Sequence, residues 1–87
     1  MIGQETLDVE RKIISILKVL KDSPEPVGSK LISDRLTDHG VYLGERAVRY
    51  HLRQMDERGL TQLVGRRDGR LITQQGLNEL DYALVGD

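Results

Sequence analysis

Val9, Ile13, Ile16, Leu17 and Leu20 recur at steps of 4, 3, 1 and 3. That is the period of an α-helix with one apolar stripe. Arg11, Lys12, Ser15, Lys18 and Asp22 fill the other faces, and Ile14 falls off the stripe. The pattern predicts a helix over about 8–21. It stops at Asp22-Ser23-Pro24-Glu25-Pro26, where each proline pushes its predecessor out of helical geometry. Val27-Gly28 reads as a short extended link. Ser29 reads as the N-cap of a second helix with Leu31, Ile32 and Leu36 on its apolar face. This helix runs to Asp38 or His39, and Gly40 suits the left-handed position after it. A connector of four residues, Val41 to Gly44, or five with Gly40, leads to a third helix over about 45–58. Val48, Leu52 and Met55 form its seam, and Gly59 ends it.

The period then changes. Leu60 to Val64 and Arg70 to Thr73 are extended in character, with Gly65-Arg66-Arg67-Asp68-Gly69 between them. Asp68-Gly69 predicts a tight two-residue turn, whose positions both need positive φ. Thr73 is placed to cap a last helix carrying Leu77, Leu80, Tyr82 and Leu84. Gly76 in its first turn costs about 1 kcal/mol relative to alanine, which weakens that turn. The predicted fold class is mainly α with a small β-hairpin, in the order helix, helix, helix, hairpin, helix.

Length and composition narrow the function. With 87 residues the chain makes one domain. It lacks Cys, so disulfide staples and thiolate zinc sites are excluded. A core this small leaves little room for a closed catalytic cleft. No apolar stretch approaches the roughly 20 residues that span a bilayer. The start carries Glu5, Asp8 and Glu10 and no apolar run, unlike a signal peptide. A cytoplasmic protein with no membrane partner is the expectation. His39 and His51 lie twelve apart with no metal-binding motif around them. Asp56 and Glu57 project about 100° apart on a helix, so they form no catalytic carboxylate pair. Neither an enzyme nor a metal site is expected.

Charge is distributed unevenly. The net formal charge is −1, which does not advertise a nucleic-acid partner. Yet residues 43–70 hold seven arginines and four acids, whereas 71–87 hold three acids and no base. Around the third helix, Arg46, Tyr50 and Arg53 fall opposite the seam, with Arg49 on the shoulder. Arginines three and four apart repel on an isolated helix. A polyanion relieves that repulsion, and arginine pairs bidentately with phosphate or guanine edges. A solvated, salt-bridged surface is the bland alternative. The second helix of a tight helix-connector-helix unit is where a DNA-reading helix belongs, which favours DNA. Arg66, Arg67 and Arg70 around the turn are expected on phosphate or in a minor groove. The alternative is that they only keep an edge strand soluble. Ser29 and Lys30 open the second helix, where free N–H groups suit a phosphate; Ser29 as a simple cap is equally consistent. Tyr42 offers either a hydroxyl to phosphate or a ring to the core. His51 flanks the seam and reads as a packed histidine.

The run from Gly44-Glu45-Arg46-Ala47-Val48-Arg49-Tyr50-His51 to Gly59-Leu60 resembles the recognition-helix signature of winged helix-turn-helix regulators. Residues 65–77 resemble their wing and the strand returning from it into a Thr-capped helix. Two domains are similar: the N-terminal winged-helix domain of bacterial ribonuclease R, and that of the archaeal repressors of nitrogen-assimilation genes. The whole chain resembles the second group more. That resemblance implies a dimeric repressor on a palindromic duplex-DNA operator, with this chain as its N-terminal DNA-binding fragment. It implies 2-oxoglutarate sensing by C-terminal domains, with no cofactor in this one. It places Arg46, Arg49, Tyr50 and Arg53 on the base-facing side of the recognition helix, and Arg66, Arg67 and Arg70 on the wing. Gly44 and Glu45 depart from the Ser/Thr-rich start common in such helices. An RNA-handling accessory module, as in ribonuclease R, and a protein-interaction winged helix remain the alternatives.

Overall fold

The computed structural model describes residues 2–65, 67 and 69–85, with side chains described for those between 8 and 83. Four helices and one hairpin follow in the order α1 (Ile2–Lys21), α2 (Ser29–Asp38), α3 (Glu45–Glu57), β1 (Thr61–Leu63), β2 (Arg70–Ile72) and α4 (Gln74–Val85). The two strands pair antiparallel with Thr61 opposite Ile72 and Leu63 opposite Arg70. Val27 adds one further bridge to the outer edge of β2. Its N–H donates to the Arg70 carbonyl at 3.0 Å, and Arg70 N–H donates back at 2.9 Å.

The core is one cluster. Ile13, Ile16, Leu17, Val19 and Leu20 from α1 meet Ile32 and Leu36 from α2, Val48, Leu52 and Met55 from α3, Leu60, and Leu80 from α4. Helix α1 is the central element, touching α2, α3, β2 and α4. It begins earlier than the apolar stripe predicts, at Ile2 instead of about residue 8. The stripe also drifts. Val9 is 40% exposed, whereas Val19, outside the predicted set, is buried. Ile14 packs against the cluster from the side. Leu31, expected on the buried face of α2, is exposed.

Two glycine-terminated caps set the geometry of the central unit. After α2, Gly40 has φ 82°. Its N–H donates to Thr37 at 3.0 Å, and Val41 N–H donates to Leu36 at 2.8 Å. After α3 the same pair of bonds recurs: Gly59 (φ 77°) to Asp56, and Leu60 to Met55. This is the Schellman arrangement, in which a left-handed residue closes the helix and the next apolar residue folds back onto it. Val41 and Leu60 are those apolar residues, and both join or pack against the core. The connector from Gly40 to Gly44 then alternates, with Val41 and Leu43 inward and Tyr42 out. The Ser33 hydroxyl ties it to α2 by donating to the Leu43 carbonyl.

The hairpin turn differs from the Asp68-Gly69 expectation. Leu63 pairs with Arg70, and Val64 N–H donates to the Gly69 carbonyl at 2.8 Å. The pairing therefore encloses the four residues 65–68, and Gly69 belongs to the strand side. Among its described residues, Gly65 is left-handed, at φ 80°. Gly69 stands close to Pro26, so a Cβ there would lie 3.1 Å from the proline Cβ.

The cap of α4 is as expected. Thr73 Oγ1 accepts from Gly76 N–H at 3.0 Å and donates to the Gly59 carbonyl at 2.6 Å. Gly76 has a packing reason that the sequence did not show. A Cβ on it would run into the Leu60 carbonyl and come within 2.8 Å of Ile72 Cγ1.

Candidate nucleic-acid interface

Helix α3 buries Val48, Leu52 and Met55 completely. Its opposite face is therefore presented outward, and Arg46, Tyr50 and Arg53 are exposed on it. Arg49 is half-buried at the shoulder. These four side chains line one shallow surface depression of about 270 Å³. The sequence grouping is thus a grouping in space. Arg46 and Arg53 make no ion pair with any described residue. Arg49 is held from two sides. Its Nη2 donates to Glu45 Oε1 at 3.1 Å and to Ser29 Oγ at 3.4 Å. Tyr50 stacks edge-on against His51, with ring centroids 5.5 Å apart. Partial burial, with the Lys12 charge as a smaller cause, lowers the His51 pKa from its ordinary 6.5. His51 thus favours the neutral form, consistent with a packed histidine.

The start of α2 corrects the cap assignment. The N-cap is Gly28, and no side chain caps the helix. Ser29 is its first residue and is fully buried. The buried hydroxyl takes part in holding Arg49 instead of capping or meeting phosphate. Lys30, beside it, is exposed. Tyr42 is 80% exposed, which removes the core alternative for its ring.

Arg70 is the second correction. Expected at the tip of a tight turn, it stands at the base of the hairpin and is only 4% exposed. Its Nη2 lies 3.0 Å from Asp56 Oδ2, and its Nε donates to both Asp56 oxygens at 3.1 and 3.2 Å. Thr61 donates its hydroxyl to the same carboxylate. The four-residue loop carries Arg70 away from the tip, and the strand register turns it toward α3. It fastens the hairpin to α3 and does not face solvent. Asp56 is the residue the sequence reading missed in this role. The i, i+5 spacing of Asp56 and Thr61 across a helix end gave no signal without the register. Arg67 is exposed on the loop; Arg66 and Asp68 lie outside the described residues. Arg58 adds a surface link, with Glu10 of α1 at 3.6 Å and Glu79 of α4 at 3.7 Å.

Among the described residues, no helix is long and apolar enough to cross a membrane. Residues 14–80 match the sequence model of the ribonuclease R winged-helix domain. The chain is 49% identical over 79 residues to the global nitrogen regulator NrpRI of Methanosarcina mazei. Against the global nitrogen regulator NrpR of Methanocaldococcus jannaschii the figure is 51% over 78 residues. These alignments cover 91% and 90% of this chain but 24% and 14% of those regulators, so it spans a quarter or less of their length. In fold, it superimposes on a PadR family transcriptional regulator from Eggerthella lenta with a TM-score of 0.68 at 20% identity. That likeness covers 98% of this chain and 80% of the other.

Proposed function

The chain belongs to the ribonuclease R winged-helix domain family, and from that premise we propose that it binds duplex DNA sequence-specifically within a repressor of nitrogen-assimilation genes. One observation carries the reading. Arg46, Arg49, Tyr50 and Arg53 share a depression on the outward face of the second helix of a helix-connector-helix unit. Such a helix is the one that enters a major groove, where arginine reads guanine edges and holds phosphate. The wing loop, with Arg67 exposed, reaches the flanking backbone. Lys30 at the start of α2 is a further phosphate contact. The nitrogen-gene assignment rests on the names of the archaeal relatives. The protein acts in the cytoplasm, by binding and not by catalysis. It works as a homodimer in the full-length regulator, placing two α3 helices on half-sites about one DNA turn (roughly 34 Å) apart.

The test is an affinity titration on a duplex selected from random sequence. Arg46→Ala and Arg53→Ala are each expected to weaken binding by about 1–3 kcal/mol. Unchanged affinity in both variants overturns the assignment of α3. Tighter binding of structured RNA than of any duplex would instead favour an RNA-handling role.

A further inference from the structure

Glu45 is an unexpected residue on a face that would meet a polyanion. It is the first residue of α3, exposed, and part of an i, i+4, i+8 row with Arg49 and Arg53. Close to a phosphate its carboxylate repels. The structure gives it one defined relation: Oε1 accepts from Arg49 Nη2 at 3.1 Å. Arg49 is held on its other side by the buried Ser29 hydroxyl at 3.4 Å. A hydrogen-bond acceptor and a cationic donor group are therefore fixed side by side at the N-terminal end of the helix. That is the end that reaches base edges in helix-turn-helix complexes.

The major-groove edges of the base pairs sort against this arrangement. A G·C pair presents two adjacent acceptors on guanine, N7 and O6, followed by the cytosine N4 amino donor. An A·T pair presents acceptor, donor, acceptor and then a methyl group. Arginine matches the guanine acceptors and a carboxylate matches the cytosine amine. Two guanidinium donors followed by a carboxylate acceptor thus complement the two guanine acceptors followed by the cytosine donor. Against A·T the second arginine donor meets the adenine N6 amino donor and the carboxylate meets the thymine O4 acceptor, and against phosphate the carboxylate is repelled. Resting on the proposed DNA-binding function, we infer that Glu45 is a specificity-determining residue: with Arg49 it forms one unit that selects a G·C pair in each half-site. It does so by accepting from cytosine and by disfavouring backbone contact at this point of the helix.

The test compares the unaltered protein, Glu45→Gln and Glu45→Ala by selection on random duplex DNA. Affinities are then measured on the selected duplex and on its single G·C to A·T replacements. Thermal melts confirm that each variant is folded. The unaltered protein is expected to prefer G·C by about tenfold or more at one position per half-site. Both variants are expected to lose that preference while keeping the others. Both should also bind unselected duplex more tightly, because a negative charge has left a DNA-facing surface. Unchanged preference at every position in folded variants overturns the inference and leaves the DNA-binding function standing. Absence of any sequence preference in the unaltered protein instead overturns the function on which the inference rests.

Discussion

Asp56 collects the side chains of Arg70 and Thr61 on one carboxylate at the junction of α3 and the hairpin. Arg70 also exchanges both backbone hydrogen bonds with Val27. One residue thus joins the α1–α2 link, α3 and the hairpin. Removing the guanidinium leaves a partly buried carboxylate short of its donors, a loss of charge-assisted hydrogen bonding worth about 2 kcal/mol. Arg70→Ala is therefore expected to lower unfolding stability by about that much in a urea titration. The salt dependence of DNA binding should stay as in the unaltered domain, because Arg70 is not placed on phosphate. A lower salt slope with unchanged stability would return Arg70 to the DNA surface. The sequence did not disclose this role, because nothing in Arg70-Leu71-Ile72-Thr73 states which partner Arg70 faces. That depends on a four-residue loop and the register it imposes. Arg46 and Arg53 were legible, since helical periodicity alone fixes a residue lying opposite Val48, Leu52 and Met55. The i, i+4 spacing of Glu45 and Arg49 made their pairing legible, whereas the Ser29 hydroxyl, read as a cap or phosphate contact, showed its hold on Arg49 only in the fold.

At the scale of elements, α3 is fixed at its C-terminal end by the Gly59 cap and the Asp56 ties, and α4 is docked through its first turn. Gly76 looked like a weakness in that turn and is a close-packing residue. Its Cα lies against the Leu60 carbonyl, which already accepts from Thr73 N–H at 3.1 Å. Gly76→Ala should improve intrinsic helix propensity by about 1 kcal/mol. Overpacking against backbone is expected to outweigh this, costing about 1–3 kcal/mol. Net destabilisation in a urea titration is the expected result; a gain in stability would show that α4 moves to admit the methyl. The wing contributes differently. With Arg67 exposed on its loop, Arg67→Ala is expected to lower the slope of log affinity against log salt by about 1. An unaltered slope would take Arg67 off the phosphate backbone. Element order, the C-terminal ends of α2 and α3 and the Thr73 cap were readable from period, glycine and capping residues; the start of α2 was not, since Gly28 and not Ser29 is its N-cap. The turn was not. Asp68-Gly69 is a strong local signal, but Gly69 is held in the pairing by Val64 and lies beside Pro26.

Over the whole molecule, the net charge of −1 conceals a division. The seven arginines of residues 43–70 are not equivalent. Arg70 is tied to Asp56, Arg58 to Glu10 and Glu79, and Arg49 to Glu45. Among the described residues, Arg46, Arg53 and Arg67 carry the outward positive charge of this stretch. The α4 stretch contributes Glu79 and Asp81 and no base. Such a division lets one face meet DNA while the remainder resists non-specific attachment. One modest basic face makes few phosphate contacts, which favours two copies acting on paired half-sites.

Backbone amide shift mapping decides whether the α3 face is the one that meets DNA. The isotope-labelled domain would be titrated with a duplex selected from random sequence and, separately, with an unselected one. The largest perturbations on the selected duplex are expected along Glu45 to Arg53 and at Arg67, with smaller ones at Lys30. Glu79 and Asp81 on α4 should stay unchanged. Perturbations centred on α1 and α4, with α3 unaffected, would contradict the assignment of the α3 face as the DNA-reading surface.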